Sequence, residues 1–222
     1  MSAFAVHGIP GSPYVRSPLI ALEEKGLDWR IAAIPFGANR TPEWAAERQP
    51  FGKIPALEHD GFKLYETQAI LRYIDRVAPS PGFTPADIRQ AARMDQLLNI
   101  TDSYVAGPLS GRISFPRLIA PMLGLPVDEE SIAAAVPEAR KAVDEIARLL
   151  GDRRFMAGDA LSLADVHLIP HLTFLPHSDE GRELLAPHAN LAAWIARMDA
   201  RPSMAATRWD RLKELTAEPA AA

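Results

Sequence analysis

Residues 4–16, FAVHGIPGSPYVR, hold the pattern that decides the fold of the first part of the chain. The first four of them are β-prone, and the glycines and the first proline behind them end that run. A helix is predicted over 19–25, where Gly26 takes the usual glycine position beyond the last turn. Residues 29–34 alternate and contain isoleucines, which indicates a second strand. The order strand, helix, strand favours a parallel pair of strands.

The segments that follow complete a small α/β domain. Residues 41–43, Thr-Pro-Glu, are typical of a helix start, with threonine as the cap and proline in the first turn. Two short strands are predicted over 54–57 and 62–64, and the Asp-Gly pair at 60–61 is a hairpin signal. Residues 66–77 form an amphipathic pattern that predicts a helix behind the hairpin.

A proline-rich segment, APSPG (78–82), separates this domain from a helical remainder. Beyond it the strand signals largely disappear, and apolar residues recur every three or four positions over 88–105 and 132–150. The sequence thus predicts an α/β domain over 1–78, a linker over 79–84 and an all-helical domain over 85–222. Further helices of that domain are expected over 162–175, 190–200 and 203–215.

Composition and charge exclude several classes of function. The 222 residues are 48% hydrophobic and 23% charged, which is ordinary for a globular protein. The net charge is −4 and no block of lysine and arginine occurs, so we expect no nucleic-acid partner. No apolar run reaches the ~18 residues of a membrane span. Residues 1–16 are too short and too polar for a signal peptide, so we expect a cytoplasmic protein without a membrane partner.

The chain contains no cysteine, which excludes disulfides, thiolate metal sites and a nucleophilic sulfur of its own. If sulfur chemistry takes place here, a ligand must supply the sulfur. His167 and His171 stand one helical turn apart, as a pair of metal ligands can, but no third ligand is visible near them. We therefore expect no metal site.

The turn in front of the first helix is the first candidate for chemistry. A helix N-terminus presents unpaired N–H groups and the positive end of the helix dipole, so it stabilises anions. The hydroxyl of Ser12 at that place could donate to the same anion. Alternatively, Ser12 is only the helix cap and Pro13 the first helical residue. The sequence leaves both interpretations open.

Two further motifs suit a peptide-like ligand. In residues 51–57, FGKIPAL, Pro55 directly precedes a strand, and a cis bond would turn the backbone groups of Ile54 outward. In residues 65–70, YETQAI, a helix opens with Glu66 and Thr67. Glu66 either complements the helix dipole or accepts a ligand ammonium while Thr67 and the helix N–H groups hold a carboxylate.

Together and in this order, the motifs resemble the glutathione transferase family. The resemblance extends from about Phe4 to Trp209, nearly the whole chain. The spacing Gly-x-x-x-Ser before the first helix is similar to the classes that use a serine, of the phi, theta and zeta type. The segments that carry the resemblance are GIPGS (8–12), ALEEKG (21–26), QPFGKIP (49–55), ETQAI (66–70), MAGD (156–159) and SLAD (162–165).

The resemblance implies a thioredoxin-like first domain and a bundle of helices as the second. It also implies that glutathione is the co-substrate, with no permanently bound cofactor, and that a small hydrophobic electrophile is the other substrate. For glutathione it implies backbone bonds to Ile54 with Pro55 in cis, a γ-glutamyl site at Glu66 and Thr67, and a partner for the glycyl carboxylate at Lys53 or Arg40.

The resemblance assigns thiol activation to Ser12, with Tyr14 as the alternative hydroxyl donor. Pro13 and Pro18 depart from the family pattern. We expect the first helix to be regular only from Pro18, with Ser17 as its cap, because proline inside a helix costs about 3 kcal/mol.

The electrophile pocket of the family draws on the helical domain, which makes Tyr14, Phe115 and Met122 candidates for its lining. Residues 111–126 are apolar and rich in proline, and they are either a long binding loop or a connector packed on the core. Phe51 stands where some classes insert an aromatic side chain into a partner subunit, so a homodimer is expected. Trp44, Trp194 and Trp209 are expected to serve packing.

Three functions remain after these considerations. The first is conjugation of glutathione to an electrophile, and the second is isomerisation or dehalogenation with the same co-substrate. The third is a non-catalytic interaction module of the same fold, against which the retained Glu66–Thr67 and Ile54–Pro55 pairs argue. Ser162 and Asp165 need no place in any of these sites, because their spacing predicts a buried capping box.

Overall fold

The protein is described here by a computed structural model that covers residues 3–217. These residues form two compact units. The first unit contains the residues up to Gly82 together with those from Ala200 onward, and the second contains Phe83–Asp199. The domain boundaries expected from the sequence stay a prediction, because grouping in space does not show which segment folds alone.

The first unit is built on a four-stranded sheet with the strand order β2-β1-β3-β4. β1 and β2 are parallel, whereas β3 is antiparallel to both β1 and β4, which confirms the predicted parallel pair. Asp60 and Gly61 join β3 to β4 with φ angles of 50° and 77°, as a two-residue hairpin turn requires. The strands are β1 (Phe4–Gly8), β2 (Trp29–Ala33), β3 (Ala56–His59) and β4 (Phe62–Tyr65).

Helices make up most of the rest of the described chain. They are α1 (Pro13–Glu24), α2 (Pro42–Glu47), α3 (Thr67–Val77), α4 (Ile88–Ile100), α5 (Glu129–Leu150), α6 (Leu163–Leu172), α7 (Asp179–Leu185), α8 (Ala189–Asp199), α9 (Pro202–Ala206) and α10 (Trp209–Ala217). Short 3₁₀ turns lie at Ala38–Arg40, Pro121–Leu123 and Leu175–His177. The single helix expected over 203–215 is wrong, since α9 and α10 are separate helices.

The α/β first unit and the helical second unit confirm the expected fold class. In the first unit α1 packs against α3. Six apolar side chains of these two helices are fully buried, namely Val15, Leu19, Ile20, Ile70, Leu71 and Ile74.

The expected start of α1 at Pro18 is wrong. The helix begins at Pro13 and continues through Pro18. Ser17 does not cap it, because its hydroxyl donates to the carbonyl of Pro13 at 3.1 Å. Packing explains the difference: Leu19 and Leu22 are fully buried. Burial of each such side chain stabilises the fold by about 1.5–3 kcal/mol, which offsets the cost of one internal proline.

The segment from Ala200 onward joins the first unit through polar contacts with α1. The carboxylate of Glu24 accepts two hydrogen bonds from the guanidinium of Arg201, both at 2.6 Å. It also accepts one from the hydroxyl of Ser203 at 2.5 Å. In addition, α9 packs near α1 and α10 packs near β2. These contacts explain why the end of the chain groups with its beginning.

In the second unit, α4 continues into a wider helical segment of π type over Thr101–Ile119. The interpretation of 111–126 as a loop is therefore wrong over its first half. Met122 beyond it is 60% exposed, so it is not packed on the core. Ile88 was expected on the apolar face of α4, but it is 81% exposed.

The capping box at the start of α6 is confirmed, and it is fully buried. The carboxylate of Asp165 accepts from the N–H of Ser162 at 3.0 Å and from its hydroxyl at 2.6 Å. It also accepts from the N–H of Met156 at 2.8 Å and from the indole N–H of Trp194 at 3.1 Å. Ser162 and Asp165 have no exposed surface, which confirms their structural role.

Within residues 3–217, no helix has the length and apolar character needed to cross a membrane.

Candidate active site

A tight turn leads from β1 into α1 and sets the position of Ser12. The N–H of Ser12 donates to the carbonyl of Ile9 at 3.2 Å, which closes a four-residue turn. Pro10 takes its second position and Gly11, with φ of 86°, its third. This is a type II turn, in which glycine is favoured at the third position because φ must be positive there. Ser12 therefore leaves the turn as the last residue before the helix.

The side chain of Ser12 does not cap α1. Ser12 has the extended backbone of a cap residue, with φ −60° and ψ 128°, but its hydroxyl makes no capping hydrogen bond. The side chain is half-buried at the N-terminus of the helix. Of the two interpretations that the sequence left open, simple capping is therefore wrong. The hydroxyl stands beside the positive end of the helix dipole and is available to an anion.

The backbone of Ile54 offers an unused donor and an unused acceptor. The peptide bond between Ile54 and Pro55 is cis, as expected. Among residues 3–217, neither the N–H nor the C=O of Ile54 has a hydrogen-bond partner. A Cβ placed on Gly8 would lie 3.5 Å from the Cβ of Ile54, so this loop adjoins the end of β1. An extended peptide could pair with both groups of Ile54 close to the Ser12 turn.

Gln49 holds the loop in front of Ile54, a role that the sequence analysis missed. Its side chain is buried, with 1% exposed. The amide oxygen accepts from the N–H groups of Phe51 at 2.8 Å and Lys53 at 2.9 Å. The amide nitrogen lies 3.5 Å from a carboxylate oxygen of Glu66. The signal was present, because Gln49 occupies the first position of the 49–55 motif, where a side-chain amide can both donate and accept.

Arg40 and Lys53 lie at one corner of the same surface. The amide of Asn39 donates to the carbonyl of Gly52 at 2.6 Å, which joins the two loops. A Cβ on Gly52 would lie 4.0 Å from the Cα of Arg40. Both Arg40 and Lys53 are exposed, and within the described chain neither is in an ion pair. The corner therefore suits a carboxylate ligand.

Glu66 opens α3 with a strained backbone. Its φ is 70°, in the region that favours glycine, and its side chain makes no capping bond. Such strain costs on the order of 1–3 kcal/mol and is common at ligand sites. The Glu66 side chain is exposed, whereas Thr67 behind it is buried with 6% exposed. This geometry leaves a carboxylate facing solvent directly above a helix N-terminus.

For the two remaining candidates, Tyr14 and Phe115, the structure gives a position and a degree of burial. Tyr14 is half-buried in the first turn of α1, close in sequence to Ser12. Phe115 is half-buried on the Thr101–Ile119 segment of the second unit. The choice between Ser12 and Tyr14 as donor, and the lining of a second-substrate pocket, stay predictions.

Two histidines in the described chain are held neutral. Burial, reinforced by the charge of Arg48, lowers the pKa of His7 in β1 to about 4. Burial also lowers the pKa of His171 in α6 to about 3, and the neighbouring His167 adds to this effect. Neither imidazole carries a positive charge near pH 7.

The histidine pair of α6 makes hydrogen bonds within the second unit. His167 Nε2 lies 2.8 Å from a carboxylate oxygen of Asp102, and His171 Nδ1 lies 2.8 Å from the hydroxyl of Ser110. Within residues 3–217, no three histidine, aspartate or glutamate side chains come together as a metal site requires.

Comparison with known sequences gives a consistent result. Residues 6–82 match the family described as "Glutathione S-transferase, N-terminal domain", and residues 129–197 match "Glutathione S-transferase, C-terminal domain". The chain is 32% identical over 213 residues to glutathione S-transferase 3 of Zea mays, covering 93% of this chain and 94% of that protein. It is 29% identical over 206 residues to glutathione S-transferase F7 of Arabidopsis thaliana, covering 91% and 98%.

Solved structures show the same similarity. Glutathione transferase F7 from Populus trichocarpa superposes with a TM-score of 0.81 at 25% identity, covering 97% of this chain and 100% of that one. Glutathione S-transferase I from maize, solved in complex with an atrazine glutathione conjugate, superposes with a TM-score of 0.80 at 27% identity. That comparison covers 96% of this chain and 99% of the maize chain.

Proposed function

Because the chain belongs to the glutathione S-transferase family, we propose that Ser12 holds the sulfur of bound glutathione as a thiolate for attack on a hydrophobic electrophile. The chain is a glutathione transferase with glutathione as its co-substrate. The assignment of residues to steps, the serine-using subtype and the electrophile belong to the proposal.

One observation carries the role of Ser12: it occupies a cap position without capping. A thiol has a pKa of about 8.5, and only the thiolate is strongly nucleophilic. Lowering that pKa by two units requires about 2.7 kcal/mol of preferential stabilisation of the anion. A hydrogen bond from the Ser12 hydroxyl and the N-terminus of α1 both favour the anion. Since the chain has no cysteine, the sulfur comes from glutathione.

The other parts of glutathione would each bind a group described above. The unpaired N–H and C=O of Ile54 would bond the cysteinyl residue as a strand bonds its neighbour. The carboxylate of Glu66 would accept the γ-glutamyl ammonium, and Thr67 with the N-terminus of α3 would bind its carboxylate. Arg40 and Lys53 would pair with the glycyl carboxylate.

The reaction then needs little more from the protein than orientation. The thiol proton leaves to solvent, the thiolate attacks the electrophilic carbon, and a carbon–sulfur bond forms as the leaving group departs with its electron pair. Fixing the sulfur beside the electrophile removes much of the entropic cost of a bimolecular step. Ser12 stabilises the sulfur anion before the attack, so its contribution should be largest at a pH below the pKa of free glutathione.

Assembly and location complete the proposal. Phe51 is 70% exposed, and its ring centre lies 6.3 Å from that of Tyr65. A large exposed aromatic side chain of this kind suits a partner surface, and we expect it to enter a second copy of this chain. The homodimer would act in the cytoplasm, with domains over 1–78 and 85–222 joined by the linker over 79–84.

The test compares three variants on immobilised glutathione and in turnover of a generic aryl halide. Ser12→Ala should remain bound to the resin but lose turnover about a hundredfold, as removal of one oxyanion donor does. Tyr14→Phe tests the alternative donor and should keep its turnover. Ser17→Ala is the matched control, since that serine lies about one turn away and its hydroxyl donates to the carbonyl of Pro13.

Two results would overturn the assignment. Unchanged turnover in Ser12→Ala would remove Ser12 from its role, and a collapse in Tyr14→Phe would transfer that role to Tyr14. Retention of the wild-type protein without any turnover would instead indicate an interaction module.

A further inference from the structure

The turn that carries Ser12 is covered by an aromatic ring from the far end of the chain. A Cβ placed on Gly11 would lie 3.1 Å from Cγ and 3.2 Å from Cδ1 of Trp209. The indole therefore lies directly against the backbone of Gly11, the residue immediately before Ser12. Gly11 is the one position of the type II turn where the absence of a side chain permits such an approach.

The ring is held in place by its own helix. α10 packs near β2, and Leu212 on it is fully buried. The ammonium of Lys213 lies 4.3 Å from the centre of the Trp209 ring, at the distance of a cation–π contact. Trp209 itself is half-buried, with one side against the turn. The ring thus has the backbone of Gly11 as one neighbour and the Lys213 ammonium as another.

Helix α9, which precedes α10, contacts α1 about one turn beyond Ser12. The guanidinium of Arg16 is buried and donates to the carbonyl of Met204 in α9 at 3.4 Å. The segment from Ala200 onward thus contacts the chain on both sides of Ser12, at Gly11 and at Arg16.

Resting on the function proposed above, we propose that Trp209 is a positioning residue for Ser12: its indole fixes the Gly11 turn and keeps water away from it. A hydroxyl with a fixed direction loses less entropy when it bonds the sulfur anion. Exclusion of water also strengthens that bond, because the local dielectric is lower. Trp209 acts through Ser12 and does not contribute to the sites at Ile54 and Glu66.

This role predicts a specific change in kinetics. Loss of the ring should weaken stabilisation of the thiolate while leaving the binding of the tripeptide intact. In Trp209→Ala, the acidic limb of the kcat/KM profile should shift upward by about one pH unit, which is a loss of about tenfold at low pH. The KM for glutathione should change by less than about twofold, because the contacts that bind glutathione equally in the ground state and the transition state remain.

Trp209→Phe should recover most of the wild-type profile, because a ring remains on Gly11. Trp29→Phe is the matched control: Trp29 belongs to the same unit, but it stands at the opposite end of the β1–β2 pair and bonds Glu23. Its pH profile should match the wild type. Urea midpoints of all variants show whether they are folded, and Trp209→Leu provides the measurement if Trp209→Ala is unfolded.

A double-mutant cycle separates this proposal from the proposed function. If Trp209 acts through Ser12, then Trp209→Ala should add no further shift to Ser12→Ala. An unchanged profile in Ser12→Ala contradicts the proposed function itself. A normal loss in Ser12→Ala with an unchanged profile in Trp209→Ala, or an equal shift in both backgrounds, contradicts only the role of Trp209.

Discussion

Three helices of the described chain begin at a serine, and the serines of α1 and α6 are used in opposite ways. Ser162 at the start of α6 is fully buried, and its hydroxyl donates to Asp165 at 2.6 Å. Ser12 at the start of α1 is half-buried and makes no capping bond. Both have an extended backbone, with ψ of 169° and 128°. A satisfied cap stabilises the fold, whereas a serine that leaves its cap role open can serve a ligand.

The other helix starts of the described chain support this contrast. Glu66 at the start of α3, like Ser12, makes no capping bond, and its backbone is strained as well. Ser12 and Glu66 both belong to the surface on which we place glutathione. At the starts of α2, α4, α5 and α7, by contrast, the cap side chain accepts a helix N–H; these caps are Thr41, Asp87, Asp128 and Ser178.

The largest expected effect comes from removing the buried capping box at the start of α6. Asp165→Ala removes the acceptor of Met156, Ser162 and Trp194 inside the core. Buried donors left without a partner should lower the free energy of unfolding by about 3–5 kcal/mol. Urea denaturation measures this change, with the exposed Asp159→Ala as control. A loss no larger than that of the control would contradict the structural role of the box.

The next largest effect is expected in the loop that we assign to glutathione binding. Gln49→Leu removes the acceptor that fixes Phe51 and Lys53, so the loop around Ile54 should lose its shape. We expect the KM for glutathione to rise about tenfold with little change in kcat, since uniform binding is lost. Steady-state kinetics check this, with the exposed Gln96→Leu as control. An unchanged KM would show that Gln49 has no part in the binding site.

The smallest expected effect is also the most direct comparison of two caps. Ser178 accepts from the N–H of Gly181 at 3.1 Å, so Ser178→Ala should cost about 1 kcal/mol of stability. Ser12→Ala should cost less than about 0.5 kcal/mol, because no capping bond is lost. The urea midpoints of both variants measure these two losses of stability. Equal losses would mean that Ser12 caps its helix in solution.

The sequence predicted what depends on neighbours a few residues apart. The Asp60–Gly61 hairpin and the capping box at Ser162 were anticipated from local patterns, and the family resemblance implied the cis bond before Pro55. Each depends on a dihedral preference or a hydrogen bond between nearby residues. Local chemistry of this kind is readable without knowledge of the rest of the fold.

Features that depend on distant packing were not anticipated. Pro18 was expected to end regular helix, yet the buried face of α1 keeps the helix intact. Residues 111–119 were read as part of a proline-rich loop but lie in a helix that contains Pro116. The contacts of Gln49 with Glu66 and of Trp209 with Gly11 join segments that no local pattern relates.

The central claim is that Ser12 lowers the pKa of the glutathione thiol, and titration of the bound thiol tests it most directly. The ultraviolet absorbance of the thiolate is followed against pH for the wild type and for Ser12→Ala, each saturated with glutathione. The account predicts a wild-type pKa about two units below the ~8.5 of a free thiol, and an increase of at least about one unit in the variant. The same pKa in both proteins would contradict it.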